Sequence, residues 1–234
     1  MPTQNFYPFD ASKPHIFWIV YMMEANYCVH ICYAFSLATA MVTGLLIHII
    51  AQLKNCGAMF ENVFNENEEN LNGFKDAAKR KFITCVKYHQ EILLYTERVF
   101  NVFSRMLIIY VTMTSFTLAV ISYQIANSKT NYQDRLRYAM LLIGWLVLFF
   151  MVCYYGQKVS EESMNVAGSV YKSKWYEFDI DAKLRKNIIL VIARAQKPLT
   201  LKAKYMGTIS LVRFVRVLRR AYSFFTLLLA VTDN

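Results

Sequence analysis

Arg213, Arg216, Arg219 and Arg220 crowd into an otherwise apolar segment near the end of this 234-residue chain. Steps of three from Arg213 to Arg219 match the spacing of voltage-sensing helices, whose guanidinium groups move charge through the membrane field. Such a device needs acidic partners on neighbouring apolar segments. Residues 25–53, 106–128 and 138–157 hold no Asp, Glu, Lys or Arg. An isolated arginine at the bilayer centre costs at least about 2.5–3.5 kcal/mol on insertion scales. The stripe therefore reads as the basic, cytoplasmic half of a helix whose other half is apolar.

Other reactive types form no constellation. The five cysteines are Cys28, Cys32, Cys56, Cys85 and Cys153, an odd count without paired spacing, which argues against a disulfide framework. Cys28 and Cys32 share a helix face at i, i+4, but no companion His/Cys set makes a metal site of them. His15, His30, His48 and His89 lack ligand spacing. P-loop, dinucleotide and Gly-x-Ser-x-Gly fingerprints are missing, so the sequence is not expected to be an enzyme and implies no cofactor.

These residues must be positioned by helices in a membrane. Apolar residues make up 56% of the chain and charged ones 18%, with mean hydropathy +0.26. Gly (7) and Pro (4) are scarce, which favours long helices over turn-rich sheet. The net charge of +10 has no nucleic-acid-binding motif beside it, and cytoplasmic loops of membrane proteins account for such an excess. No cleavable signal peptide is legible in residues 1–15. The three charge-free stretches each reach the roughly 20 residues that a bilayer crossing needs, and lipid forces them to be helical. Residues 205–232 form a fourth candidate, with only 221–232 free of charge.

Lysine and arginine set the orientation. Lys54, Lys75, Lys79, Arg80, Lys81, Lys87, Arg98 and Arg105 lie between the first two spans, and a still denser set occupies 158–204. Both regions are therefore expected in the cytoplasm. The resulting division is an extracellular segment 1–24, a span 25–53, a cytoplasmic loop and helix 54–105, and a span 106–128. An extracellular loop 129–137, a span 138–157, a cytoplasmic helical region 158–204, a basic half-helix 205–220 and a membrane half 221–232 follow. A cytoplasmic start would require an odd number of further spans upstream, so the chain is expected to be N-terminally incomplete. Phe82, Val86, Leu93, Phe100 and Phe103 recur at helical steps, as do Ile180, Leu184, Ile188, Val191 and Ala195. The acidic, Asn-rich run 61–73 between the first two spans reads as a loop.

A family pattern sits in the last third. Gly156, Glu162-Ser163, Ala167, Tyr171 and Trp175 lead to RKNIILVIARAQKPLTLKA (185–203). Gly207, Ser210-Leu211, Phe214, Val217-Leu218 and Ala221-Tyr222-Ser223-Phe224-Phe225-Thr226-Leu227-Leu228 follow. This resembles the C-terminal region of insect odorant receptors. Looser likeness extends upstream through Gln52-Leu53, Tyr88-His89 and the FYPF of residues 6–9. The family has seven spans and a cytoplasmic N-terminus, so the four spans here correspond to its last four.

The resemblance implies an all-α fold, a polytopic transmembrane helix bundle with cytoplasmic helical extensions. It implies a subunit of an odorant-gated, non-selective cation channel, working with a co-receptor subunit in the plasma membrane of olfactory sensory neurons. The last helix would line the pore through Ser223, Leu227, Ala230 and Val231. Ordinary helix packing is the other reading of that periodicity. A small volatile ligand would bind in the outer half of the membrane near Tyr21, Met22, Asn26, Tyr27, Tyr138, Leu142 and Trp145. An interfacial aromatic belt is the other reading, for the tyrosines above all. The cytoplasmic helices would pack subunits together. A G-protein-coupled chemoreceptor and a voltage-sensing module are the rival functions. Glu97-Arg98 matches the first only loosely, no Asn-Pro-x-x-Tyr is present, and Pro is absent from all four spans.

Overall fold

The computed structural model describes residues 14–64, 71–127, 132–178, 180–203 and 207–232. The FYPF segment, residues 65–70 of the acidic run and residues 128–131 of the short loop lie outside the described residues. Five α-helices carry the described fold: α1 Pro14–Glu61, α2 Leu71–Asn127, α3 Tyr132–Lys172, α4 Ala182–Ala195 and α5 Leu211–Thr232. A single 3₁₀ turn, Trp175–Glu177, follows α3. A two-residue hairpin pairs β1 (Lys202–Ala203) with β2 (Gly207–Thr208), Lys202 opposite Thr208 and Ala203 opposite Gly207.

Residues 1–42 and 43–234 form two compact units, and α1 begins in the first and ends in the second. Pro14 opens α1, where a fixed φ and a missing N–H cost nothing. In the first unit, the Phe17 ring stacks on Tyr21 at 6.3 Å and meets Trp18 edge-on at 6.1 Å.

α1, α2 and α3 have 48, 57 and 41 residues. At 1.5 Å per residue they measure about 72, 86 and 62 Å, against a hydrocarbon core of about 30 Å. All three are long and apolar enough to cross a membrane. Each must also run well beyond it, so residues 54–61, 71–105 and 158–172, read from sequence as cytoplasmic, are continuations of the spanning helices, whereas α4 is a separate helix. α5 does not meet the same measure, because arginines occupy its first half. Of the four crossings expected from the sequence, three are therefore supported by length and composition, and the fourth stands as a proposal.

Within the second unit, packing follows a seam of alternating three- and four-residue steps. α1 buries Leu46, Ile49, Leu53, Cys56 and Phe60. α2 buries Ala78, Phe82, Cys85, His89, Ile92 and Thr96. Such steps keep one face of a helix against its neighbour. The Phe60 ring meets Phe82 at 5.9 Å and His89 at 6.4 Å, and the Tyr88 hydroxyl donates to the Gln52 side-chain carbonyl. Thr96 and Thr114 return their hydroxyls to the carbonyls of Ile92 and Tyr110, both at 2.7 Å, which satisfies a buried polar group inside a helix. α4 buries Leu184, Ile188 and Ala195 and packs on α3, while α5 packs on α2 and α3.

Two forces act on this one bundle. Outside the bilayer, water is the alternative, and each buried side chain such as Phe60 or Ile188 contributes about 1.5–3 kcal/mol. Inside it, lipid is as apolar as leucine, and close packing with interhelical hydrogen bonds must do the work.

Burial leaves a chemical mark. The Cys56 thiol is pushed up to about 12 by desolvation, with a smaller contribution from the neighbouring Cys85. Desolvation raises Cys85 as well. The folded state therefore prefers both thiols protonated. That preference costs nothing below the ordinary thiol range near pH 9, and destabilises the fold as pH climbs from there toward 12. At pH 8, iodoacetamide is expected to leave Cys56 and Cys85 unmodified in the detergent-solubilised protein and to modify both after denaturation. Mass spectrometry of the alkylated peptides reads the result. Fast labelling of Cys56 in the folded protein would contradict the packed seam.

Candidate functional site

The residues proposed for ligand binding fall into two groups. Tyr21, Met22, Asn26 and Tyr27 lie on α1 within the first unit, all exposed. Met22 and Asn26 are i, i+4 neighbours, and Tyr21 belongs to the aromatic cluster with Phe17 and Trp18. Tyr138, Leu142 and Trp145 lie on α3 in the second unit at i, i+4 and i+7, one face of the helix. All three are half-buried, whereas Met140, Ile143 and Val147 between and beside them are exposed. The Arg137 guanidinium sits 5.1 Å from the Tyr138 ring centre and donates to its hydroxyl at 3.4 Å. Each group is coherent on its own helix, and the shared pocket remains a proposal.

The pore candidates lie on α5. Ser223, Leu227 and Ala230 are exposed, Leu227 at 60%, whereas Val217 and Ala221 on the other side are buried. The side chain of Val231 lies outside the described residues. An apolar, unpacked face on a helix otherwise held to its bundle is what a pore-lining or subunit-facing surface requires.

A polar joint at the foot of α5 has no signature in sequence periodicity, although the family-like residues build it. The chain between α4 and α5 is fastened to the lower part of α3. The Leu199 N–H donates to the Ser163 hydroxyl at 2.9 Å, and that hydroxyl donates to the Ser160 carbonyl at 2.8 Å. Gln157 accepts the Leu211 N–H at 3.2 Å, satisfying a donor that the first turn of α5 cannot satisfy itself. The same amide donates to Glu161 at 2.9 Å. This bond first, and Lys158 second, hold the Glu161 carboxyl below the usual carboxylate range.

Two glycines make room for the joint. A Cβ on Gly156 would stand 3.0 Å from the Ile209 carbonyl oxygen, so glycine lets the backbone leaving the hairpin lie close on α3. Gly207 has φ +84, a left-handed conformation that glycine adopts freely, and a Cβ there would meet the Arg213 guanidinium at 2.8 Å. Arg213 itself is buried at 6% exposure and its Nε donates to the Thr208 carbonyl at 3.5 Å. Burial, then Arg216 and Arg220, depress its basicity. Phe214 closes the joint, 5.7 Å from the Phe149 ring and 5.5 Å from Phe150.

α3 also holds the lower end of α1. Ser169 donates to Glu61 at 2.9 Å, Lys172 reaches the same carboxylate at 3.8 Å, and Glu162 pairs with Lys54 at 3.8 Å. These ion pairs are partly exposed and add little energy alone. Their effect is to fix register between helices that the apolar seam already holds. Burial also keeps His89 neutral, its pKa lowered first by desolvation and then by Arg194. A groove of about 710 Å³ runs between α2 and α4 beside it, apolar at Phe82 and Leu184 and rimmed by Lys79, Lys87, Lys183 and Arg194.

Long helices fit to span a membrane, extensions of those helices beyond it and a braced final helix define a polytopic helical membrane protein. The chain belongs to the 7tm odorant receptor family, whose model matches residues 1–222. Odorant receptor 67c of Drosophila melanogaster is 29% identical over 232 residues, covering 97% of this chain and 54% of that protein. Odorant receptor Or2 of Anopheles gambiae is 28% identical over 149 residues, 62% of this chain and 37% of that one. The insect olfactory receptor OR5 from Machilis hrabei, solved in complex with eugenol, has the same fold. Its TM-score is 0.82 at 21% identity, over 97% of this chain and 56% of that chain. The chain thus spans about half the length of the curated relatives it matches. Those relatives are receptors, not enzymes, and the all-α membrane bundle expected from sequence is the fold observed.

The joint makes a testable claim. Ser163→Ala removes the acceptor of the part-buried Leu199 N–H, a loss of about 0.5–1.5 kcal/mol. A clear drop in melting temperature in detergent is expected, with Ser163→Thr retaining most of the stability. An unchanged melting temperature for Ser163→Ala would mean that the joint does not hold α5.

Proposed function

We propose that this chain acts as part of an odorant receptor subunit that opens a non-selective cation channel when a volatile molecule binds, in company with a co-receptor subunit. The observation that carries the reading is the family match over residues 1–222. The exposed face of Ser223, Leu227 and Ala230 on a helix braced by α3 supports it. A hydrophobic constriction at Leu227 suits gating by dewetting. Orientation with 54–105 and 158–204 in the cytoplasm, and a place in the plasma membrane of olfactory sensory neurons, belong to the same proposal.

The ligand would be a small, mostly apolar volatile held by Tyr21, Met22, Asn26, Tyr27, Tyr138, Leu142 and Trp145. Aromatic walls with few polar groups fit such a molecule. The structural relative's complex with eugenol is a precedent for the class of ligand. Binding opens the channel only if the open state binds the odorant more tightly than the closed one.

The test is whole-cell recording from cells expressing the chain with a family co-receptor, against a panel of volatiles. Evoked cation current that needs the co-receptor and persists under G-protein blockade is expected. Trp145→Ala and Asn26→Ala should each raise the half-maximal odorant concentration about tenfold, roughly 1.4 kcal/mol, while sparing the ion dependence of the current. Loss of the response under G-protein blockade would establish the coupled-receptor alternative instead. Steep voltage dependence abolished by Arg216→Gln would establish the sensor.

A further inference from the structure

Three arginines stand on the same stripe as the pore candidates. Counting back from Ser223 along α5, four residues lead to Arg219 and seven to Arg216, positions that share a helix face. Arg220 is seven residues before Leu227. All three side chains are exposed, as are Ser223, Leu227 and Ala230. The Ser223 hydroxyl bonds back to the Arg219 carbonyl at 3.1 Å, inside a helix unbroken from Leu211 to Thr232.

The buried side of α5 is a different set: Arg213, Val217 and Ala221. Arg213 is spent on the hairpin carbonyl of Thr208. Among the described residues, no ion pair includes Arg216, Arg219 or Arg220. No acidic residue occurs in α5 to neutralise them. The stripe therefore runs from cations at one end to small and apolar residues at the other, without a change of face.

We infer that Arg216, Arg219 and Arg220 form a cationic collar at the intracellular mouth of the permeation path and bias which ions pass it. The inference rests on the channel reading above. Pores that favour anions use rings of Arg or Lys, and those that favour cations use Asp or Glu. A collar of arginines thus works against cation passage. Repeated around a mouth by each such subunit, it would raise a positive potential of the order of several kT, as clustered like charges in clefts do. Each kT thins monovalent cations locally about 2.7-fold and divalent ones by the square of that factor. Outward cation current should be held below inward current, and calcium should be penalised more than sodium. Screening sets the range, with a Debye length of about 8 Å at 0.15 M salt and about 3 Å at 1 M.

The experiment uses the co-expressed receptor in excised patches with identical solutions on both sides. Wild type is compared with the triple variants R216Q/R219Q/R220Q and R216K/R219K/R220K. Odorant-evoked current in wild type should rectify inwardly in about 0.05 M salt, and that rectification should fade at about 1 M, where the collar is screened. The glutamine variant should raise the outward-to-inward ratio about twofold or more and increase relative calcium permeability. The lysine variant should keep wild-type behaviour, because charge rather than guanidinium shape matters. Wild-type rectification and calcium permeability in the glutamine variant would overturn the collar. So would rectification in wild type that is insensitive to salt, a readout that needs no variant to fold. A glutamine variant whose lost current returns on adding a soluble, short-chain anionic phospholipid would show that the arginines hold lipid headgroups instead. Absence of any odorant-evoked current in wild type would remove the channel reading itself, an outcome distinct from a channel without a collar.

Discussion

Hydrocarbon offers a peptide group no hydrogen-bond partner, and the rest of this structure follows from that. Every backbone N–H and C=O at membrane depth must be satisfied within its own helix. Once a helix is committed to cross, continuing it beyond the membrane costs little and supplies a rigid lever. α1, α2 and α3 exploit this, each at least twice as long as the membrane core is thick. The apolar seam of Leu46 to Phe60 against Ala78 to Thr96 then runs without interruption along α1 and α2, whichever solvent surrounds them. Motion in one part of such a helix cannot be absorbed by a hinge unless the seam gives way.

α5 is the exception to the pattern, and its dependence on others is chemical as well as geometric. Its charge-free half is short, its first half is basic, and it begins after a hairpin of only two residues per strand. Gln157 completes its first turn, Ser163 pins the backbone before the hairpin at Leu199, Gly156 lets the backbone after it approach at Ile209, and Phe214 wedges against α3. The helix read as the gate is thus positioned by α3, which also carries Tyr138, Leu142 and Trp145 toward its other end. A ligand that shifts α3 has a continuous rigid element through which to bias α5, the physical requirement for coupling two sites.

The charge-free stretches make the three long spans legible in sequence, because a chain folded in water rarely runs about 20 residues without a charge. The stripe Ile180, Leu184, Ile188 is legible through its helical period, and all three residues are buried. The seam on α2 is legible only in part. Phe82 and Phe103 are on it, but Cys85, His89 and Thr96 share that face, and a hydrophobic pattern passes over such types, Thr96 meeting its hydrogen-bond need within its own helix. The joint under α5 is visible in sequence as a motif without a mechanism. Ser163 and Leu199 are 36 residues apart, Gln157 and Leu211 are 54 apart, and no periodicity links such pairs. The arginine stripe is plain in sequence, but its division between two faces is not. Arg213 alone of the four turns inward, its guanidinium lying against the bare backbone of Gly207.

The central claim is that the exposed face of α5 borders the path of the ions. Cysteine accessibility along that helix tests it most directly. Cysteines placed one at a time at Ser223, Phe225 and Leu227 would be exposed to a charged thiosulfonate reagent during odorant application. Block of the evoked current is expected at Ser223 and Leu227, and no block at Phe225, which is turned partly into the bundle. Equal block at all three positions, or none at Ser223 and Leu227, would contradict the account.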